Sequence, residues 1–398
     1  MELAICYNTP RQIDTALRGN AAQCAELLQR HGVDAEAVSL QDIVGDWGGW
    51  LTAHKPRCVI ISAVCVPVAK LRKLVAAHPK VTWVQRIHSN APFLFSEIGA
   101  FGSCCRMLQL CEKWRNLRYS VVNADEARRW TLAGAPRPVL AIPNVYTGAI
   151  ATEPLDGPAA GDVLHLSAMF ALRLLKSPAS HVLLAGLLNS RRPCSLHMQL
   201  QRHDMPIYPE NLRDLAATLG APLAAEAYRE RGAYLDWMRE TIHVGLQLSM
   251  TESFNYVVME HMAQGIPCVT SRAIPFCPWQ VDDPEDIEAA AELVETILGN
   301  YRECSARALD AARDVQALHE RQFLAAMGEL LGRPIVAHSV ADEILRPEPA
   351  PAERAPSPAP ASPPKAPAPL LAAAGAREAV ATAIAANLRV LELLRSAT

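Results

Sequence analysis

Apolar residues in this chain of 398 residues come in two patterns: short unbroken runs, and longer stretches where they recur every three or four positions. Runs at 3–7, 37–40, 58–63, 81–87, 119–122 and 139–142 are rich in Val, Ile and Leu and predict buried strands. Between them, 14–31 places Leu17, Ala21, Cys24 and Leu28 on one helical face, and 68–77 reads as a second helix. Strands and helices alternating at these lengths predict a parallel, doubly wound sheet.

The pattern then repeats. Strands are predicted at 163–167, 195–201 and 243–248, with helices at 180–188, 211–219 and 228–240. A helix over 284–298 has Asp283 as its cap and Pro284 at its first position. A closing helix or helix pair follows over 302–331. Pro154, Gly157 and Pro158 mark 153–161 as a linker between domains. The expected organisation is therefore two Rossmann-like doubly wound domains, 1–152 and 162–335, facing across a cleft. Residues 336–374 are a Pro/Ala-rich tether, with ten prolines between 346 and 369. The last segment, 375–398, is a terminal helix with Val380, Ile384, Leu388, Leu391 and Leu394 on one stripe. Such a helix buries little alone, so it is expected to dock on the body, to oligomerise or to bind a partner.

The most informative stretch is 243–271, a strand–loop–helix–strand unit closed by Gly265 and Pro267. It carries Glu252 at the expected helix mouth and Glu260 further in. Eight residues advance a helix by roughly 80° beyond two full turns, so both carboxylates are expected to face one cleft at different depths. Free amides and the positive dipole end at a helix N-terminus suit a phosphate. An anion there, with a carboxylate beside it to accept sugar hydroxyls, is what a nucleotide sugar requires.

Glu252-Ser253-Phe254, Asn255, Glu260 and the Gly265-Ile-Pro267 exit resemble the Glu-x7-Glu signature of the family 4 glycosyltransferases, which have the GT-B fold. The resemblance covers roughly residues 1–335. It implies that Glu252 contacts the donor sugar and Glu260 the ribose of a UDP- or GDP-sugar. It implies that Arg173 and Lys176, after the first strand of the second domain, neutralise the donor diphosphate; the spacing here is Arg-x2-Lys where the family usually has Arg-x4-Lys. It also implies that His88 faces the donor sugar from the first domain. Arg86, Ser89 and Asn90, which flank His88 after the 81–87 strand, fall on the acceptor side. Asn144 matches an Ile-Pro-Asn segment of the family, although Val145 replaces the Gly that usually follows. Retention of anomeric configuration without a metal or other cofactor is the implied outcome. The chain has no Asp-x-Asp, no Gly-x-Gly-x-x-Gly after its first strand, no Gly-x-Ser-x-Gly and no Walker loop.

Charge separates the halves. Residues 1–150 hold 17 Lys and Arg against 11 Asp and Glu, and residues 151–345 hold 15 against 26. A basic first domain suits a polyanionic acceptor. The loop from Arg86 to Asn90 with Phe93-Leu94 resembles glycosyltransferase-like proteins of tailed phages, which implies a hydroxymethylated base in DNA as acceptor. A bacterial surface polysaccharide or lipid-linked glycan is the alternative within the class, and a non-catalytic nucleotide-sugar-binding module the alternative outside it. No apolar run reaches the length of a membrane span, and the eleven cysteines are scattered, several within apolar runs, which fits a cytoplasmic location. Cys104, Cys105 and Cys111 read as part of a helix rather than as a metal site.

Overall fold

The apolar runs of the first half form β1 (Leu3–Tyr7), β2 (Ala35–Ser39), β3 (Cys58–Ser62), β4 (Thr82–Ile87), β5 (Leu117–Val121) and β6 (Leu140–Ala141). The helices between them are α1 (Thr15–Arg30), α2 (Leu40–Ile43), α3 (Trp47–His54), α4 (Val68–Ala77), α5 (Ala91–Ser96), α6 (Ala100–Lys113) and α7 (Ala124–Leu132). The strands make one parallel sheet in the order β2-β1-β3-β4-β5-β6. This computed structural model describes residues 1–8, 15–43, 45–96, 99–200 and 207–335. The expected tether and terminal helix fall at 336–398, outside the described residues.

The second half repeats the plan with β7 (Leu164–Ala168), β8 (Cys194–Met198), β9 (Leu223–Ala225), β10 (Val244–Gln247), β11 (Cys268–Ser271) and β12 (Trp279–Val281). Its helices are α8 (Pro178–Asn189), α9 (Ile207–Leu219), α10 (Arg231–Thr241), α11 (Tyr256–Ala263), α12 (Ile287–Gly299) and α13 (Tyr301–Leu331). The parallel order is β12-β11-β10-β7-β8-β9. In both sheets the chain winds one way and then reverses, between β1 and β3 in the first and between β7 and β10 in the second. Ligands of open parallel sheets collect at the carboxyl ends of strands beside such a reversal.

Each sheet is buried on both faces. Cys6, Val59, Trp83 and Met107 pack on one side of the first sheet; Leu3, Ile60, Cys24 and Leu28 pack on the other. The second core gathers Leu166, Leu196, Leu246 and Val269 with Met259 and Val294. The long α13 belongs to both halves. Ala308 and Ala312 sit in the second core, whereas Phe323, Leu324, Met327 and Leu331 sit in the first, against Leu3 and Leu28. Burying each of these four side chains is worth about 1.5–3 kcal/mol, enough to anchor the returning end of the helix.

Several elements depart from the sequence reading for local reasons. The helix expected at 284 begins at Ile287, because Asp286 is the cap and accepts from Ala289 N, while Asp283 is spent in the preceding turn on Glu285 N. The helix expected at 228 begins at Arg231, leaving Tyr228 to Glu230 in a loop. Short elements such as α2, α3 and β12 escape periodicity altogether; α3 also contains Gly48-Gly49, which reads as a turn until Asp46 caps it. The Gly265 exit has a clear cause: its φ is +79°, and a Cβ there would lie 2.9 Å from Ser305 Oγ of α13.

Candidate functional site

Lys176 and Glu252 meet where the second sheet reverses. Lys176 ends a tight turn, Leu174–Lys176, after β7, and Glu252 lies in the loop after β10. Lys176 Nζ donates to Glu252 Oε1 at 2.5 Å, and that oxygen also accepts from Ser249 Oγ at 2.9 Å and Asn255 Nδ2 at 3.0 Å. The two side chains are 15% and 4% exposed, so this is a buried pair in which Glu252 Oε1 takes three donors. Met250 N bonds to Leu175 O, tying the loops together. His181 braces the same corner, donating from Nδ1 to Ser177 O and accepting from Leu248 N at Nε2. Burial drives its pKa down to about 4, keeping the ring neutral, as that donor–acceptor pattern requires.

Glu252 is not on the helix, which corrects the helical spacing argued above. Asn255 is the cap and its side chain accepts from Val258 N, so α11 starts at Tyr256. One of the amides expected to be free for a phosphate is thereby taken. Ser253 is half-buried in the same loop, and the Phe254 ring packs against Tyr256, Phe276 and His319. Arg173 is also half-buried; its guanidinium lies 5.5 Å from the Phe93 ring of α5, and Lys176 Nζ lies 5.7 Å from the same ring. An aromatic ring of the first half thus sits against both cations of the second. Beside it, Asn90 Nδ2 donates to Thr251 Oγ1 at 2.5 Å, so Asn90 holds the two halves together at this point.

Glu260 faces a different space. It is 8% exposed on α11 and lines a cavity of about 460 Å3 with Asn20, Gln199, Tyr228, Arg229 and Arg231. Its carboxylate lies 3.1 Å from Arg231 Nη2. Burial raises its pKa to about 7, even though the Arg231 charge pulls the other way. Gln199 and Arg229 follow β8 and β9, so this cavity too lies at strand carboxyl ends. Arg229 and Arg231 escaped the sequence reading because their segment resembled one continuous helix; the only signal was the basic pair flanking Glu230.

In the first half, Arg86 does not reach a cleft. It is fully buried in β4 and donates to Asn20 Oδ1 at 2.9 Å, Asn144 Oδ1 at 3.0 Å and the carbonyls of Pro143 and Ile142 at 2.7 and 3.2 Å. Among the described residues no carboxylate is paired with it; neutral oxygens solvate the charge. This fixes His88. Asn144 Oδ1 accepts from Arg86 and from Asn20 Nδ2, so the His88 Nδ1 that lies 3.1 Å from it carries the proton. Burial, and then the Arg86 charge, hold the His88 pKa well below its usual value, so Nε2 is a bare acceptor. Among the described residues that buried nitrogen has no partner. His88 and Ser89 line a second cavity of about 530 Å3, together with Asn8 after β1 and Ala63 to Cys65 after β3. It sits where the first sheet reverses.

The fold therefore brings Arg173, Lys176, Glu252, Ser253, Asn255 and Asn90 together, sets Glu260 in a cavity of its own, puts His88 and Ser89 at a third point, and removes Arg86 to the interior. Asn20 and Asn144 are the polar residues whose weight the sequence understated. Among the described residues no helix is long and apolar enough to cross a membrane.

No family model and no curated protein matches the sequence. Solved structures do. The apo form of the lipopolysaccharide outer core galactosyltransferase WaaB is 14% identical, with a TM-score of 0.58 over 83% of this chain and 99% of that one. Sucrose-phosphate synthase from Thermosynechococcus elongatus is 13% identical, with a TM-score of 0.59 over 83% and 98%. HepE of Anabaena, solved with UDP and glucose, is 13% identical, with a TM-score of 0.53 over 80% and 95%. At such identity the likeness fixes the architecture: two Rossmann-like domains of the GT-B type.

Proposed function

We propose that this chain is a retaining glycosyltransferase that moves a sugar from a UDP- or GDP-sugar to an acceptor hydroxyl. The observation that carries the reading is the Lys176–Glu252 pair at the reversal of the second sheet, beside Arg173 and within the same half as the buried Glu260. Arg173 and Lys176 would hold the diphosphate, Glu260 the ribose, and Glu252 the donor sugar with Ser253, Phe254 and Asn255 shaping its loop. His88 Nε2, a bare acceptor, suits a hydroxyl of the donor sugar reached from the first half. Departure of the nucleoside diphosphate builds charge on its β-phosphate, which fixed cations stabilise. The C1–O bond to phosphate breaks, the bond to the acceptor oxygen forms on the same face, and the leaving phosphate takes the acceptor proton. The likeness to WaaB, a galactosyltransferase, and to HepE, solved with UDP and glucose, supports the reading.

The acceptor enters at the cavity of His88 and Ser89 in the basic half. A hydroxymethylated base in DNA fits that charge, and eleven cysteines scattered through the chain, most of them buried, fit the cytoplasm where phage-type DNA is modified. A lipid-linked glycan is the second reading, favoured by the likeness to a lipopolysaccharide enzyme and by Phe95, 78% exposed on α5. The test is release of nucleoside diphosphate from a panel of nucleotide sugars, with water, hydroxymethylated DNA or anionic vesicles bearing glycolipid as acceptor. Release from one donor, lowered about 100-fold or more in Arg173→Ala and Lys176→Ala, is the expected result. No release from any donor would overturn the catalytic reading in favour of a binding module.

A further inference from the structure

A chain of polar side chains runs beneath the second sheet and ends in the Glu260 cavity. His165 of β7 and His197 of β8 are neighbours across the sheet, with Nδ1 of the first 2.9 Å from Nε2 of the second. His197 Nδ1 lies 2.7 Å from Glu226 Oε1, just after β9. Glu226 Oε2 accepts from Arg229 Nη1, also at 2.7 Å. Trp237 of α10 covers one side of the Arg229 guanidinium at 4.2 Å, and the His197 ring lies 5.7 Å from the same indole. Arg229 itself lines the cavity. Its plane is set twice over, by a carboxylate on one edge and an indole on one face.

The arrangement is costly for a merely structural one. Glu226 is 9% exposed and His197 7%. Apolar residues at His165, His197 and Glu226 would close the sheet against α10 without burying a carboxylate. What the polar chain does is lock Glu226: His197 takes one oxygen, so the other must face Arg229. Burial alone would raise the Glu226 pKa, but hydrogen bonds from His197 and Arg229 overcome it and hold the group ionised.

On the reading of this cleft as a nucleotide-sugar site, on which the inference rests, the position of Arg229 in the ligand follows. Lys176 and Glu252 do not line the cavity, whereas Glu260 does. A nucleotide with its diphosphate at Lys176 and its ribose at Glu260 puts its base among Gln199, Tyr228 and Arg229. We infer that Arg229 reads the base of the donor nucleotide, and that His165, His197 and Glu226 are its positioning chain. A guanidinium offers donors only. It pairs with the carbonyl oxygens of uracil or guanine and is mismatched to the 6-amino group of adenine. The site accordingly takes a base with a carbonyl edge.

Calorimetry with UDP, GDP and ADP tests this on the full chain. The unaltered protein is expected to bind UDP or GDP about tenfold or more above ADP. Arg229→Ala should lose about tenfold to a hundredfold in affinity for the preferred nucleotide and erase the preference over ADP. Arg229→Lys should not restore it, because a point charge lacks the planar fork. Glu226→Gln and His197→Asn should shift the donor KM rather than kcat, whereas a general loss of packing would lower the melting temperature and both constants together. An Arg229→Ala protein that melts normally and still prefers UDP or GDP over ADP would overturn the inference while leaving the nucleotide-sugar reading intact. Failure of the unaltered protein to bind any of the three would overturn both.

Discussion

The Asn20 amide of α1 donates to the Tyr256 hydroxyl of α11 at 2.5 Å, and that hydroxyl donates on to Val145 O at 3.0 Å. One phenol thus joins the second half to two separate segments of the first. Asn20 also reaches Asn144 and Arg86, so the contact leads directly to the group that orients His88.

Tyr256→Phe removes that hydroxyl and little volume. It leaves Val145 O and Asn20 Nδ2 each short of a partner in a buried place, a loss of about 1–3 kcal/mol for each group left unsatisfied. Urea unfolding should show destabilisation in that range. An unchanged midpoint would mean that water replaces the phenol and that the halves are not joined here.

Glu260 predicts a pH dependence with a definite sign. Its folded pKa, about 7, lies above the ordinary carboxylate value because burial penalises its charge. The folded protein therefore holds its proton more tightly than the unfolded chain. The stability this group contributes is complete below the unfolded value and is lost as pH rises through about 7, with an upper size of about 3 kcal/mol. Glu260→Gln should melt higher than the unaltered protein at pH 8 and no higher at pH 4. Nucleotide affinity should run the opposite way in the unaltered protein, weakening as pH falls through about 7, because only the carboxylate can accept both ribose hydroxyls. Melting curves and calorimetry at matched pH values check the two halves of the prediction.

Arg86 separates a folding role from a chemical one. Arg86→Leu would leave Asn20 Oδ1 and the carbonyls of Ile142 and Pro143 without the guanidinium donor and take one of three donors from Asn144 Oδ1, a cost of at least about 3 kcal/mol. Arg86→Lys keeps the charge and should recover part of that stability. In Arg86→Lys the His88 ring should stay neutral at pH 7, since burial is the main cause of its low pKa. Imidazole titration by NMR reads this directly. A His88 that titrates near its ordinary value in the lysine variant would show that the fork of Arg86, and not burial, sets its state.

The sequence by itself determined the two parallel sheets, because buried strands must be apolar throughout and their helices apolar on one stripe. It also determined that Glu252, Ser253, Asn255 and the Gly265 exit belong to one strand–loop–helix–strand unit, since they are neighbours along the chain. What it could not determine were distances set by packing between remote segments. Lys176 and Glu252 are 76 residues apart and meet only because β7 and β10 are neighbours at the sheet reversal. Arg86 looks like a cleft residue in its loop-edge context, yet Asn20 and Asn144, 66 and 58 residues away, enclose it. Arg229 reads as part of a helix, yet α10 begins only at Arg231, which leaves Glu226 and Arg229 in the preceding loop to face His197 and the cavity. Periodicity reports which face of an element is buried; which polar group waits on the other side depends on how the elements are stacked, and only the tertiary structure decided that.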